Sequence, residues 1–311
     1  MRTFLVCYCL LAAALLPAGT VSVVVDTDAG SDDLLAIAFL LARPDVRIEA
    51  INVVHGLAHV PHGAENVRRL LVVAGRNDIP VNRGREEPLQ KTAEFPAAWR
   101  TTADNLLAGV PAPKTGPAPG DAASYYRSHA FNGTTILALG PLTNLAAAIQ
   151  AGAHFPEILL MGGAVRVPGN LGDGGYFQTT NKTAEWNFFC DPQAAQVVFE
   201  SGARIRMVPL DATNDVPLGL PFLEECRRQA RSPLATAVAH LLEKDREVIA
   251  HGIYYAWDPL AAVALVDPQV ARWESLPIRP TEPTPHGGVP VSAALHADPG
   301  RFRSLFLAAF R

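Results

Sequence analysis

Hydrophobic positions along this chain recur in two alternating registers. Short continuous runs of β-branched and aliphatic residues give way to longer stretches in which apolar side chains return every three or four positions. Runs of the first kind suit strands covered on both faces, and the second kind suits helices. Their alternation predicts an α/β fold, an open and mostly parallel β-sheet flanked by helices in a Rossmann-like arrangement. Strands are predicted over 21–26, 48–54, 79–81, 134–139, 157–161, 205–210 and 291–295. Helices are predicted over 32–42, 64–74, 142–150, 193–200, 233–251, 259–266 and 301–310, with Arg43-Pro44 and Gly75 as stops for the first two. Two stretches lack a period. Residues 86–120, rich in Pro, Ala and Thr, read as a long surface loop suited to a lid, and residues 167–183 as a glycine-rich loop. Loops of this length are where function concentrates.

The N-terminus follows a different pattern. Arg2 precedes the apolar run 4–16, which ends in Pro17, Ala18, Gly19 and Thr20, the layout of a secretory signal peptide. The run is too short for a stable membrane span. The organisation predicted is a signal peptide over 1–22 and one domain over 23–311, secreted or periplasmic and free of the membrane once mature. The alternative is an apolar first element of the domain itself, in a cytoplasmic protein. Cys7 and Cys9 fall inside the leader, so Cys190 and Cys226 remain as one bridge or two buried thiols. With 311 residues, 49% of them hydrophobic, the domain can bury a large core. A net charge of −4 removes any general electrostatic case for nucleic acid or an anionic membrane surface, which favours small-molecule chemistry.

That chemistry is sited by Asp26-Thr27-Asp28-Ala29-Gly30-Ser31-Asp32-Asp33, which places four carboxylates at the carboxyl end of the first predicted strand. Ligands bind at that edge of an open α/β sheet. Carboxylates this close repel unless they hold protons or a cation compensates them, and an all-oxygen set without His or Cys suits Ca²⁺ or Mg²⁺. Asp32 and Asp33 also fit a plain helix N-terminus, whose dipole favours negative charge. An Asp-x-Asp after an apolar strand is shared with phosphatases of the haloacid dehalogenase type, with Asp26 as nucleophile and Asp28 as acid/base. Such an enzyme needs a later Lys, for which no convincing candidate stands in the chain.

The wider sequence resembles the nucleoside hydrolases, whose opening is Asp-Thr-Asp-Pro-Gly-x-Asp-Asp. Four later stretches match in order: 139–146 (Leu-Gly-Pro-Leu-Thr-Asn-Leu-Ala), Leu160-Met161-Gly162-Gly163, Ala184-Glu185-Trp186-Asn187 followed by Asp191-Pro192, and Trp257-Asp258-Pro259-Leu260-Ala261. The resemblance implies hydrolysis of a ribonucleoside N-glycosidic bond to free base and ribose. It implies that Asp28, Asp33, Asp258 and the backbone carbonyl of Thr143 bind Ca²⁺ together with the ribose hydroxyls and a water, and that Asp28 takes a proton from that water. Asp32, Glu185 and Asn187 would hold the ribose hydroxyls, with Met161 beside the substrate. It also implies a homodimer or homotetramer. Trp257 stands where pyrimidine-accepting members usually carry His, and Trp99 lies in the long loop, so the chain looks like the purine-preferring branch with the base between two indoles. Stacking on electron-rich rings favours a protonated, cationic purine.

Three positions depart from the family pattern. Leu57 follows Gly56 where an Asn is usual, Ala29 replaces the Pro, and Thr179 stands where an Asn is expected to meet the 5′-hydroxyl, leaving Asn181 or Asn170 as substitutes. A secreted nucleoside-binding protein with little catalysis is the alternative suggested by Leu57.

Overall fold

The computed structural model describes residues 19–90, 93–112, 118–175, 177–280 and 288–311. Residues 1–18, and with them most of the expected leader, lie outside the described residues. Among these residues nine strands form one sheet: β1 Val21–Thr27, β2 Val46–Val53, β3 Val81–Arg83, β4 Gly120–Asp121, β5 Thr134–Ala138, β6 Glu157–Met161, β7 Arg204–Val208, β8 Ala271–Ile278 and β9 Val289–Ala297. Their order is β4-β3-β2-β1-β5-β6-β7-β9-β8, and every neighbouring pair is parallel except the β8–β9 hairpin at one edge. The chain steps outward from β1 to β4 and then returns to place β5 on the other side of β1. Connections on the two sides therefore diverge above β1 and β5, which opens a crevice at their carboxyl ends.

Alternation along the central strands divides the core into two layers. On β1, Val23 and Val25 enter the layer formed with helices Ser31–Leu41 and Trp257–Val266, while Val24 enters the layer holding Tyr126, Phe155 and helix Thr143–Gln150. Helix Trp257–Val266 is apolar on nearly all sides because it is buried between the sheet, helix Ser31–Leu41 and the C-terminal helix Pro299–Ala308. A helix held on every side gives the Asp258 in its first turn a fixed position.

Several expectations are corrected. The 86–120 stretch is not only a surface loop: it contains helix Ala97–Ala103, and Phe95, Ala103, Leu106 and Leu107 are buried. A seven-residue helix is too short to show a period, and residues 91–92 and 113–117 lie outside the described residues. The single helix expected over 233–251 is two, Pro233–Lys244 and Arg246–Ala250, with the break at Asp245. Strand β8 was not anticipated because it is an edge strand whose Arg272, Glu274 and Pro277 blur the alternation. Of the two states open to them, Cys190 and Cys226 take that of two buried free thiols, in separate clusters. Among the described residues no helix is long and apolar enough to cross a membrane.

The C-terminal helix is joined to the first helix through Phe306, which is fully buried and stacks on Phe39 with ring centroids 5.7 Å apart. Phe306→Ala should lower unfolding free energy by about 3–5 kcal/mol in denaturant titrations. A loss under about 1 kcal/mol would show that the surrounding helices close over the gap.

Candidate active site

At the carboxyl end of β1 the chain leaves the ladder after Thr27 and turns through Ala29, whose φ of 58° is in the left-handed region, into helix Ser31–Leu41. The turn is held locally. The Ala29 N–H donates to Thr27 Oγ1 (3.0 Å), the Gly30 N–H donates to Asp33 Oδ2 (3.0 Å), and the Thr27 hydroxyl donates to Asp33 Oδ1. Asp33 thus satisfies the Gly30 N–H at the helix start while one edge of its carboxyl stays beside Asp28 and Asp258.

Asp28 sits in a cradle made by two other strand ends. Leu57 N–H, just past β2, donates to Asp28 Oδ2 at 2.7 Å. A Cβ on Gly56 would lie 2.1 Å from that same oxygen, and one on Gly140, just past β5, would lie 2.9 Å from the Asp28 backbone nitrogen. Glycine at both places is what lets the chain approach the carboxyl this closely. Asp26, two residues earlier, faces a different environment: Tyr126 OH (2.7 Å) and Asn144 Nδ2 (3.0 Å) both donate to its Oδ2 beneath the crevice. A sealed, doubly bonded Asp26 that does not line the cavity cannot be the nucleophile of a phosphatase.

Above these residues lies a cavity of about 450 Å³. Its wall includes Asp28, Asp32, Asp33, Trp99, Met161, Glu185, Asn187, Trp257 and Asp258, so most of the expected site residues, from five chain segments, meet there. Oxygens of Asp32, Asp33 and Asp258 lie within 4.8 Å of one another, and Asp28 joins them by a hydrogen bond with Asp33. Asp32, expected at the ribose, is therefore also close enough to share in a cation site. Burial is the main cause that pushes every one of these carboxyls up, Asp32 and Asp33 to about 7, and repulsion from their acidic neighbours adds to it. Asp258 Oδ1 is buried with no hydrogen-bond partner among the described residues. Crowded carboxyls, an orphan oxygen and an all-oxygen donor set fit a hard divalent cation.

The remaining expected residues divide. Glu185 caps helix Trp186–Cys190: its Oε1 accepts from Asn187 N–H (2.8 Å) and its Oε2 from Gly163 N–H (2.8 Å) and Phe188 N–H (3.2 Å). Asn187 donates through Nδ2 to the carbonyls of Leu139 (2.9 Å) and Met161 (3.2 Å), which fixes the amide and leaves Oδ1 as the end available to the cavity. Thr143 opens helix Thr143–Gln150 and is fully buried, with its hydroxyl donating to Asp191 Oδ2 (2.6 Å) and bonded to His55 Nε2 (2.7 Å), but it is not on the cavity wall. Asn181 is a correction. Its Oδ1 accepts from the N–H groups of Thr183 and Ala184, both at 3.0 Å, so it folds its own loop and faces a second cavity. Asn170 lines the main cavity instead, with a buried Oδ1 lacking a partner among the described residues.

Sequence reasoning missed much of the apolar wall. Trp186 stacks on Phe95 at 4.7 Å and meets Trp99 edge-on at 5.4 Å, and Leu57 packs on the same cluster. Tyr254 lies under Trp257 at 5.3 Å, and its hydroxyl bonds Ser31 Oγ at 3.1 Å. Trp186 lies inside the stretch Ala184-Glu185-Trp186-Asn187 and Tyr254 three residues before Trp257, so the sequence signal for both is their place beside a matched stretch.

A family model described as inosine-uridine preferring nucleoside hydrolase matches residues 23–297. Uridine nucleosidase 1 of Arabidopsis thaliana is 32% identical over 272 residues, which is 82% of this chain and 77% of the relative. The pyrimidine-specific ribonucleoside hydrolase RihA of Klebsiella pneumoniae is 32% identical over 231 residues, 71% of this chain and 70% of its own length. A solved plant nucleoside hydrolase superposes with a TM-score of 0.74 at 29% identity, covering 93% of this chain and 98% of the other.

The raised carboxyls carry a stability consequence. Unfolded Asp releases its proton near 3.8, whereas Asp32 and Asp33 in the folded chain hold theirs to about 7, so the folded state binds more protons in between. Stability must then fall as pH rises through that window. With chelator present, the melting temperature should drop by roughly 5 °C or more between about pH 5 and pH 8, read by scanning calorimetry. A flat profile would show that these carboxyls ionise without penalty.

Proposed function

The chain belongs to the inosine-uridine preferring nucleoside hydrolase family, and we propose that its cavity hydrolyses purine ribonucleosides to free base and ribose with Ca²⁺ as cofactor. The observation that carries this reading is the pairing of a carboxyl cluster with an aromatic wall, Trp99 on one segment and Trp257 on another, in one cavity. The residues that would hold the ion are Asp28, Asp33 and Asp258, with Asp32 within reach of them; Thr143, expected to add its backbone carbonyl, is off the cavity wall and is left out of the set. When bound, Ca²⁺ supplies the positive charge that lets the buried carboxyls ionise and makes a neighbouring water more acidic.

The chain's own groups do the rest. Asp28 accepts the proton of the attacking water, its orientation held by the Leu57 N–H. Asp32, Glu185 and Asn187 bind the ribose hydroxyls, Met161 packs against the sugar, and Asn170 replaces Asn181 as the group for the 5′-hydroxyl. As the base departs, positive charge builds on the ribose ring, and a ring of carboxylates in an apolar wall stabilises that charge more than it stabilises the neutral substrate. Trp99 and Trp257 take the base between them, which favours its protonated form.

A pyrimidine substrate is the second reading, favoured by relatives named uridine nucleosidase and pyrimidine-specific ribonucleoside hydrolase. Two further parts of the proposal concern the whole molecule: residues 1–22 act as an export signal, so that the mature enzyme works outside the cytoplasm, and the enzyme is a homodimer or homotetramer.

A panel of inosine, guanosine, adenosine, uridine and cytidine, assayed by chromatography with and without chelator, should give free purine base only in the presence of calcium. Faster release of uracil than of hypoxanthine would establish the pyrimidine reading in its place. Asp28→Asn should lower the turnover of inosine by about 10²–10⁴-fold with the melting profile retained, and near-normal turnover would remove Asp28 from its role. Trp99→Ala should cost about tenfold or more in kcat/KM for inosine and less for uridine, because stacking scales with ring area. Equal losses on both would make Trp99 a general wall residue.

A further inference from the structure

Asp245 is an acid on the cavity wall that the reaction just described does not use. It stands at the break between helices Pro233–Lys244 and Arg246–Ala250. An Asp before a helix ordinarily caps it, but the Asp245 side chain makes no capping bond to the second helix. It bonds instead to Ser31 and Tyr254, whose hydroxyls also bond each other at 3.1 Å. Its Oδ2 is buried and has no hydrogen-bond partner among the described residues. An orphaned carboxyl oxygen is costly, so one kept beside a cavity calls for a partner that arrives with a ligand.

Its location narrows that partner. Tyr254, to which Asp245 is bonded, packs edge-on against Trp257, so the acid stands at the aromatic end of the cavity. Lys244, Glu247 and Asp32 are the other charged side chains on this part of the wall. Burial pushes the Asp245 carboxyl up to about 6, so a fraction of it carries a proton near neutral pH.

We propose that Asp245 is the acid that protonates the departing base, an assignment that rests on the nucleosidase reading. In this step the bond from C1′ to the base nitrogen breaks and its electron pair moves onto the base. The carboxyl proton of Asp245 passes to a ring nitrogen of the base, which leaves neutral. The water oxygen forms the new bond to C1′, and the proton it sheds goes to Asp28. Solvent then returns a proton to Asp245 and removes one from Asp28. The hydroxyls of Ser31 and Tyr254 orient the acid and stabilise the carboxylate that it becomes.

The test compares two leaving groups on the purified full-length protein with calcium present. Asp245→Asn preserves the shape of the side chain and removes the proton. Turnover of inosine, or of whichever nucleoside the unaltered protein hydrolyses fastest, should fall about 10²-fold or more, while p-nitrophenyl riboside, whose phenolate leaves without a proton, should change less than about threefold. Retained turnover of the nitrophenyl compound also reports that the variant is folded. Equal losses on the two substrates, or an unchanged nucleoside rate, would overturn the assignment. An unaltered protein that hydrolyses neither substrate overturns the nucleosidase reading and this assignment with it, and does so before any variant is compared.

Discussion

The constraint on which the structure turns is that several carboxyls are buried together at one point of a sheet where the strand order reverses. Nothing in an apolar core tolerates this unaided, because each ionised carboxyl loses its hydration and meets like charge beside it. The chain meets the problem with three devices. Backbone N–H groups are aimed at Asp28 and Asp33, a helix N-terminus is placed under Asp32 and Asp33, and the remaining charge is left to protons or a cation. The glycines at 56 and 140 follow from the first device, since any side chain there would occupy the space of Asp28. The buried helix that carries Asp258 follows from the need to hold the last acid still.

The wall around these acids is apolar for a related reason. Phe95, Trp186 and Leu57 form one cluster against the cavity, and Leu57 reaches close enough that a Cβ on Gly30 would meet its Cδ2 at 2.8 Å. Leu57 stands where the family pattern has an Asn, yet its N–H still seats Asp28, because that bond comes from the backbone and is indifferent to the side chain. The replacement therefore leaves the anchoring of the acid intact and withdraws one polar group from the wall. A drier wall raises the carboxyls further and strengthens every charge interaction made inside it.

Most of the sheet and the acidic end of the site were legible in the sequence, because both follow from short-range rules. Short runs rich in aliphatic residues mark β1, β2, β5, β6 and β7, and a carboxylate run after β1 marks the crevice. The aromatic wall was less legible. Trp186 is far in sequence from Phe95 and Trp99, and those two lie in a stretch whose Pro and Ala content hides a helix of about two turns. The break at Asp245 was also hidden, since apolar periodicity runs across it and only the tertiary bonds to Ser31 and Tyr254 give Asp245 a reason to leave the helix. Asn181 misled because an Asn near the expected place says nothing about whether its amide is consumed by its own turn.

Asp26 and Asp28 show how much the end of a strand decides. Both belong to one Asp-x-Asp, and a phosphatase would use the first as nucleophile and the second as acid. Here Asp26 is still inside the ladder, opposite Asn52 and Ala138, so its side chain is committed to the layer that holds Tyr126 and Asn144. The last ladder pair joins Thr27 to Val53, and Asp28 lies one residue beyond it, where the chain is free to turn and present a carboxyl to the crevice. One more residue of strand would have drawn Asp28 into the pairing, and two fewer would have released Asp26. The division between an acid sealed in the core and one presented to the crevice is set by where hydrogen bonding between neighbouring strands stops, which the motif alone does not encode.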